Sequence, residues 1–266
     1  MSSQIIIVIC LTFIINLITT LSYSVRIVGI RTGRIAVSFA LFNILVLISR
    51  TANGFQAPLL ASSIERNINA GLDGNLTDFR LIIFSCTVAT VIGGLMIPSF
   101  QRILSVAVER FSVYKSVPKV IFHGFTRTGF SSIKDSIVLP STENIKQIDI
   151  RNDFPWKVFL MNVFAVAIIS IGVLSSLYAG YMNESFRSTA SNLSAIINGL
   201  ATILMFVFID PFLSVMTDEV VLGKTKESTF RKYIVYMVIA RIIGTLLAQV
   251  LFIPSAKLIA SVATMI

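Results

Sequence analysis

Long apolar stretches alternate with short polar segments along the whole chain. They cover residues 4–24, 35–61, 81–106, 157–182, 191–210 and 232–256. Each stretch is close to or above the roughly 20 residues that an α-helix needs to cross a bilayer. The pattern predicts an all-α polytopic membrane protein with six transmembrane helices. No basic residue precedes the first stretch, and it is long for a signal peptide, so we expect it to be a retained helix.

The loops on the two sides of these helices differ in basic content. The loops after the first, third and fifth stretches hold most of the Lys and Arg, including the long segment 108–156. The other loops contain few basic residues: Arg66, Arg80, Arg187 and Lys257. Because basic loops stay in the cytoplasm, we expect both termini outside and segment 108–156 inside. Its Lys and Arg are interleaved with Phe, Val and Ile, which predicts a loop on the anionic inner leaflet and not a nucleic-acid site.

The basic loop separates two halves, about 1–110 and 155–266, of a single membrane domain that covers residues 1–266. With three helices each, the halves would run in opposite directions. IPSFQRILSVAV (97–108) resembles IPSAKLIASVAT (253–264), which suggests a 3+3 inverted repeat. Chance explains so short an apolar match more readily, so the repeat is an expectation from topology.

Composition agrees with a membrane domain. The 266 residues are 55% hydrophobic and 13% charged, with a mean hydropathy of +0.85, whereas about a quarter of a soluble chain is charged. Cys10 and Cys86 lie in apolar stretches, where we expect small buried thiols and no disulfide. His123 stands without a second His or a Cys cluster, so no metal site is predicted.

Small and polar residues recur on one face of several predicted helices. In the second helix the stripe contains Asn43, Arg50, Asn53 and Gly54. Similar stripes contain Thr12, Asn16, Thr19, Thr20 and Tyr23 in the first helix, Ser191, Ser194, Ala195, Asn198, Gly199 and Thr202 in the fifth, and Arg241, Gly244, Thr245, Ala248 and Gln249 in the sixth. For Ser, Thr and Gly, close helix packing is the favoured interpretation, as in Ala240-Gly244-Ala248 and Ala195-Gly199.

Two arginines are harder to explain by packing. At 1.5 Å per residue, Arg50 lies about 22 Å beyond Ile35 and Arg241 about 13 Å beyond Lys232. A charge at the bilayer centre costs from about 2.5 to more than 10 kcal/mol, and no acidic residue is found at comparable depth. We therefore expect a hydrated cavity or an anionic ligand at both arginines. The planar guanidinium suits phosphate because it donates hydrogen bonds in pairs.

No enzyme signature is found. The chain has no Gly-rich nucleotide loop and no nucleophile-elbow serine, and its acids lie in loops, so ATP-driven transport and hydrolysis are not predicted. Asp210-Pro211 is interpreted as an N-cap and first residue of a short helix at the inner face. The residues alone predict a transporter or flippase, without cofactor, for an anionic substrate that is free or lipid-linked.

Four long segments carry a family resemblance: RIVGIRTGRIAVSFALFNILVLISRTANGFQAPLLA (26–61), FPWKVFLMNVFAVAIISIGVLSSLYAGYMN (154–183), STASNLSAIINGLATILMFVFIDPFLSVMTDEVVLGK (188–224) and ARIIGTLLAQVLFIPSAK (240–257). Together they resemble the Amj family of bacterial lipid II flippases. The resemblance implies transport of lipid II, the undecaprenyl-pyrophosphate-linked cell-wall precursor, from the inner to the outer leaflet of the plasma membrane. It also implies an alternate to the unrelated MurJ flippase. Arg50 and Arg241 lie in the matching motifs, but their roles rest on the charge argument.

Together these observations give a hypothesis for the route. Basic residues at the inner mouth would attract the pyrophosphate: Arg26, Arg31, Arg34 and Arg102. A cavity lined by helices one, two, five and six would then bind it through Arg50, Arg241, Asn43, Asn53, Gln56, Asn198, Gln249 and Asn16. Rocking of one helix set would expose the site outward, with Gly93, Gly94, Pro58, Pro98 and Pro254 as candidate flexible points.

Several points stay open at this stage. We expect lipid II and anionic phospholipids as partners, and we favour a homodimer because six helices are few for so large a headgroup. The energy coupling is open between the membrane potential, protons and sodium, and the potential is a drive that needs no ATP. An exporter of another anionic or lipid-linked molecule, a lipid-modifying enzyme and a membrane scaffold of envelope assembly are the alternatives.

Overall fold

The structure is a computed structural model that describes residues 2–71, 74–116, 119, 120, 122, 126, 131, 133–138 and 154–266. The first span contains α1 (Ser3–Leu21) and α2 (Tyr23–Thr32), which meet at Ser22. The second to fourth spans are α3 (Ile35–Asn69), α4 (Leu76–Tyr114) and α5 (Trp156–Met182). The fifth span consists of a 3₁₀ turn (Glu184–Phe186), α6 (Arg187–Leu204), a π-helical segment (Met205–Ile209) and α7 (Asp210–Val221). The sixth span is α8 (Glu227–Ala263).

The six predicted membrane helices are confirmed, since the described residues contain 6 helices long and apolar enough to span. Several extend beyond their apolar stretches until a residue with positive φ ends them, as Lys115 (φ 46) does after α4. The orientation and the inverted repeat stay predictions. "Inner" and "outer" below refer to the predicted orientation. The basic loop 108–156 begins as the end of α4, and most of the rest, with His123, lies outside the described residues.

The centre of the bundle is formed by α5 and α8, which belong to the second half, against α1 and α4 of the first half. Glycines permit the closest approaches. A Cβ on Gly244 of α8 would lie 2.7 Å from the carbonyl oxygen of Val163 in α5. A Cβ on Gly93 would lie 2.9 Å from Cβ of Thr20, and one on Gly94 2.8 Å from Val238. These glycines of α4 and α8 therefore serve close packing, the interpretation favoured for small residues.

Two helices flank this centre and are much less buried. The α3 helix packs on α1 and α2, and α6 packs on α5. Close packing was also expected at Gly199 of α6, but no atom lies within 4 Å of the position where its Cβ would be. The same holds for Gly54 of α3. Both glycines therefore face open space, and the packing expected for Ala195-Gly199 is wrong.

The predicted cap at Asp210 is also wrong. Helical backbone continues from α6 through the π-helical segment, and Asp210 itself has helical dihedrals (φ −64, ψ −42). Pro211 lacks an N–H and would collide with the carbonyl of Val207 in a regular helix. The wider π-helical turn at this point accommodates the proline without ending the helix. The Asp210 carboxylate is thereby left for a tertiary contact.

The two cysteines differ in environment. Cys86 is buried as expected, whereas Cys10 is exposed on the surface of α1, so the expectation of burial is wrong there. Different faces of the first apolar stretch look equally apolar in the sequence, which is why burial could not be assigned to one of them.

Candidate functional site

The Arg241 side chain lies at the centre of the bundle, where all four central helices meet. It is 4% exposed, and its Nη2 donates to Oδ1 of Asn16 in α1 at 3.1 Å. Tyr23 and Cys86 lie beside the guanidinium. Asn162 of α5 donates from Nδ2 to the hydroxyl of Tyr23 at 3.4 Å. We call Asn16, Tyr23, Cys86, Asn162 and Arg241 the central cluster.

The central cluster contains a cation without a counter-ion. None of the ion pairs among the described residues involves Arg241. Its Nε donor and the Oδ1 acceptor of Asn162 are buried without a hydrogen-bond partner in the described part of the chain. An unsatisfied buried polar group costs about 1–3 kcal/mol, and more if it is charged. Neutral neighbours thus satisfy the hydrogen-bond donors of the Arg241 guanidinium only in part.

A chain of hydrogen bonds connects the central cluster to α3. Asn16 donates from Nδ2 to the backbone oxygen of Thr12 at 2.9 Å. The hydroxyl of Thr12 accepts from Nε2 of Gln56 at 2.9 Å. Gln56 belongs to the same motif as Arg50, so the two arginine motifs are linked through α1. A displacement of α3 would therefore shift Thr12 and, through it, Asn16, which accepts the hydrogen bond from Arg241.

A second polar region opens at the outer end of α3 and α6. A cavity of about 320 Å³ lies between them and α5. It is lined by Ala61, Ile64, Glu65, Leu177, Gly180, Arg187, Ser188, Ser191 and Asn192. The Glu65 carboxylate and the Arg187 guanidinium approach to 4.0 Å across it. This ion pair joins the first half of the chain to the second at the outer face.

The predicted polar stripes of α3 and α6 continue from this cavity toward the inner side. At 3.6 residues per turn, Gly54, Arg50 and Asn43 lie about two, three and five turns before Ala61 on the same face. On α6, Gly199 lies on the face of Asn192. The α3 residues Asn43, Arg50 and Asn53 are exposed. We call the cavity and the two helix faces that continue from it the lateral groove.

Asn198 borders this groove on α6. Its Oδ1 lies against Gly172 of α5, where a Cβ would occupy the same space. The oxygen has no hydrogen-bond partner among the described residues. Asn198 thus adds a second unsatisfied acceptor, here at the α5–α6 contact that forms one wall.

The inner mouth contains the four basic residues expected there, in different settings. Arg34 and Arg102 are exposed. Arg31 pairs with Glu227 of α8 at 2.8 Å. Arg26 is held between α3 and α7: its Nη1 donates to Ser214 Oγ at 3.0 Å, and its Cζ lies 5.4 Å from the Phe39 ring centroid. Two of the four cations are therefore free of ion pairs in the described residues.

The structure does not bring all predicted substrate-binding residues into one cavity. Asn16 and Arg241 belong to the central cluster, and Gln56 links to it. Asn43, Arg50, Asn53 and Asn198 belong to the lateral groove. Gln249 lies elsewhere, since its Nε2 donates to the backbone oxygen of Arg80 on α4 at 2.9 Å.

Sequence reasoning missed several polar residues of these regions. Asn162 is a strongly polar residue within the apolar stretch 157–182, and that isolation was a usable signal. Arg187 served only to assign orientation and Glu65 was not considered, because each is unremarkable at a helix end. Their pairing depends on α3 and α6 meeting at the outer face, which no local pattern indicates.

Comparison with known proteins places these features in a family. The family described as "Amj: Alternate to MurJ" matches residues 11–263. A protein of Bacillus subtilis (strain 168) named lipid II flippase Amj is 37% identical over 260 residues, which cover 97% of this chain and 96% of that protein. No solved structure matches the chain. The family match contains both arginine motifs, the central cluster and the lateral groove, and the chain belongs to the Amj family.

Proposed function

We propose that this protein is a lipid II flippase of the bacterial plasma membrane, a transporter that moves the lipid-linked cell-wall precursor from the inner to the outer leaflet. The observation that carries the proposal is the buried guanidinium of Arg241 within a membrane-spanning helix, whose Nε has no hydrogen-bond partner and which has no carboxylate ion pair among the described residues. The chain's membership of the Amj family and its 37% identity to the Bacillus subtilis flippase support lipid II as the substrate. The pyrophosphate is the part of lipid II that such a cation binds.

The volume of the outer cavity favours a headgroup path along an open groove over a path through an enclosed chamber. Ligand pockets for drug-sized molecules have volumes of about 300–1,000 Å³, and the outer cavity of about 320 Å³ is at the lower end. A disaccharide that carries a peptide exceeds it. The headgroup would therefore slide along the lateral groove, partly exposed to water, while the prenyl tail stays in lipid. This reduces the need for a homodimer, which stays an alternative proposal.

The two arginines would act in sequence. Arg50 lies on the open groove face and would bind phosphate oxygens before Arg241 does. Arg241 is closed off from the surface at the junction of the two halves, since Asn16 belongs to the first half and α8 to the second. Rocking of the halves would part this contact and leave the guanidinium free to donate to phosphate.

The membrane potential supplies a sufficient drive. Moving one negative charge outward across a membrane that is negative inside is favourable by about 2.3 kcal/mol per 100 mV. Pyrophosphate carries more than one such charge, so the drive needs no ATP. We expect flipping in proteoliposomes to slow when a potassium diffusion potential of this sign, set with valinomycin, is abolished by equal potassium concentrations on both sides. An unchanged rate would exclude the drive.

A reconstituted system tests the function. The purified protein is placed in vesicles with labelled lipid II, and the label that becomes accessible on the far leaflet is measured. The tail-free headgroup pyrophosphate serves as competitor and as a second cargo. We expect lipid II to cross and the soluble headgroup to remain in place. Transport of the soluble form at an equal rate would instead identify an exporter of small anions.

A further inference from the structure

The inner mouth contains an ion pair that differs from the others at that face. Nη2 of Arg26 lies 3.7 Å from Oδ1 of Asp210. That separation exceeds the 2.7–2.9 Å of a charge-assisted hydrogen bond, so the two charges attract without being bonded. The Arg26 side chain is only 15% exposed, against 43% for Asp210. The arginine is thus fixed, and its carboxylate partner is loosely held and reachable.

The pair joins the two halves of the chain. Arg26 belongs to α2, and Asp210 is the first residue of α7, directly after the π-helical segment. Ser214 of α7, one turn further on, accepts the hydrogen bond from Nη1 of the same arginine. Both contacts of the Arg26 guanidinium with the second half therefore end on α7. A ligand bound to the guanidinium in their place would remove both of these polar contacts between α2 and α7 in one step.

Phosphate is a better partner for Arg26 than the groups that occupy it. A phosphate group offers several charged oxygens and matches the planar fork of a guanidinium in pairs. Asp210 offers one oxygen beyond hydrogen-bond distance, and Ser214 offers a neutral hydroxyl. The ring of Phe39 covers one face of the guanidinium and leaves its edge for the anion.

We propose that the Arg26–Asp210 pair is a phosphate-sensitive closure of the inner mouth, opened when a phosphate of the prenyl pyrophosphate replaces Asp210 and Ser214 on Arg26. This inference rests on the proposed function. It makes Arg26 the first residue to bind the pyrophosphate directly, in addition to its part in the general electrostatic attraction of anions. At the outer face, where Glu65 and Arg187 lie 4.0 Å apart, the proposal assigns no change of distance between the two halves.

Distances between paired spin labels test the proposal on the full chain in vesicles. The exposed Cys10 is replaced by Ser, the buried Cys86 is left in place, and labels are attached through Thr32→Cys and Val215→Cys across the inner mouth. A second pair, at Ser62→Cys and Ser188→Cys, reports the outer face. Geranylgeranyl pyrophosphate is the probe, and geranylgeraniol is the uncharged control.

We expect the pyrophosphate to lengthen the inner distance and to leave the outer one unchanged. Asp210→Asn should favour the longer inner distance without probe and lower the half-saturating concentration about two- to fivefold, the worth of a partly exposed ion pair. Arg26→Gln should abolish the response. Arg231→Gln, which removes an inner-face cation paired within its own helix, is the matched control and should respond as the parent does.

The outcomes separate this inference from the proposed function. The closure is overturned if the protein still flips lipid II but the pyrophosphate does not lengthen the inner distance, or geranylgeraniol lengthens it equally. The proposed function then remains. Lengthening with the pyrophosphate in a protein that does not flip lipid II supports the closure and overturns the function.

Discussion

Arg241 and Arg50 are both arginines in the interior of apolar helices, but the fold places them in opposite surroundings. Arg241 is buried among neutral polar groups of helices from both halves. Arg50 is exposed on α3, on the face that leads to the outer cavity. The contrast shows that the position of an arginine along a membrane-spanning helix does not by itself determine its surroundings or its role. One arginine is held at a contact between the two halves of the chain, and the other lies on an exposed helix face.

The glycines next to the two arginines show the same contrast. Gly244, about one turn after Arg241, lies against the backbone of α5, whereas Gly54, about one turn after Arg50, has no atom near its missing Cβ. Around Arg241 the helices are in tight contact, and around Arg50 the surface is open. The two regions therefore differ in what a substitution disturbs, packing in one and ligand access in the other.

Replacement of Arg241 by methionine should have the largest effect on transport. Loss of charge-assisted hydrogen bonds, worth about 1.5–3 kcal/mol in total, lowers flipping about 10- to 150-fold. Stability should change little, because a well-packed apolar residue often replaces a buried charge at no cost. Flipping in vesicles and thermal unfolding in detergent measure the two effects. A large loss of stability with unchanged flipping per folded molecule would make Arg241 structural.

Gly244→Ala should destabilise the bundle by about 1–3 kcal/mol, the usual cost of overpacking. The added Cβ meets a backbone oxygen, which cannot rotate away as a side chain does. Gly54→Ala is the matched control and should be neutral or stabilising by about 0.5–1 kcal/mol, since alanine favours the helix. Unfolding in mixed micelles measures both. Equal effects at the two glycines would remove the contrast between the regions.

Arg50→Lys should reduce flipping about 2- to 12-fold, the equivalent of about 0.5–1.5 kcal/mol for one lost hydrogen bond. The charge is kept, but lysine cannot donate to phosphate with a planar fork. Because Arg50 is exposed, the unfolding temperature should not change. The check is the flipping rate beside that of Arg50→Ala. Full activity of the lysine variant would mean that charge alone matters in the groove.

Gln56→Leu should have the smallest effect. It removes the hydrogen bond to Thr12 and should cost about 0.6 kcal/mol, the average for such bonds between membrane helices. Since this bond connects α3 to the acceptor of Arg241, flipping should fall more than stability does. Unfolding and flipping of the same preparation give the comparison. A flipping rate equal to that of the parent protein would show that the two arginine motifs act independently.

The sequence predicted the six helices well because length and apolar content are local properties. It predicted the small-residue contact of Gly244, but it assigned the same role to Gly199, which faces open space, and it offered the closely packed Gly93 as a flexible point. Helical periodicity defines a face without saying what covers it. For the same reason Gln249 was grouped with Arg241, although it lies against Arg80.

The residues that join the two halves were the hardest to predict. Asp210 was interpreted as a cap from its neighbour Pro211, and the π-helical turn that frees its carboxylate leaves no clear trace in composition. Its contact with Arg26 links positions far apart in the chain. Such contacts depend on how spans pack, which a single sequence does not show.

The central claim is that guanidinium groups at membrane depth bind the pyrophosphate of lipid II. The most direct test is the accessibility of lipid II at the outer leaflet of cells in which this protein is the sole flippase. Arg50→Lys and Arg241→Lys are compared with the parent at equal amounts of inserted protein. We predict that lipid II stays on the inner leaflet, more completely with Arg241→Lys. Outer-leaflet lipid II at the parent level in both variants would contradict the account.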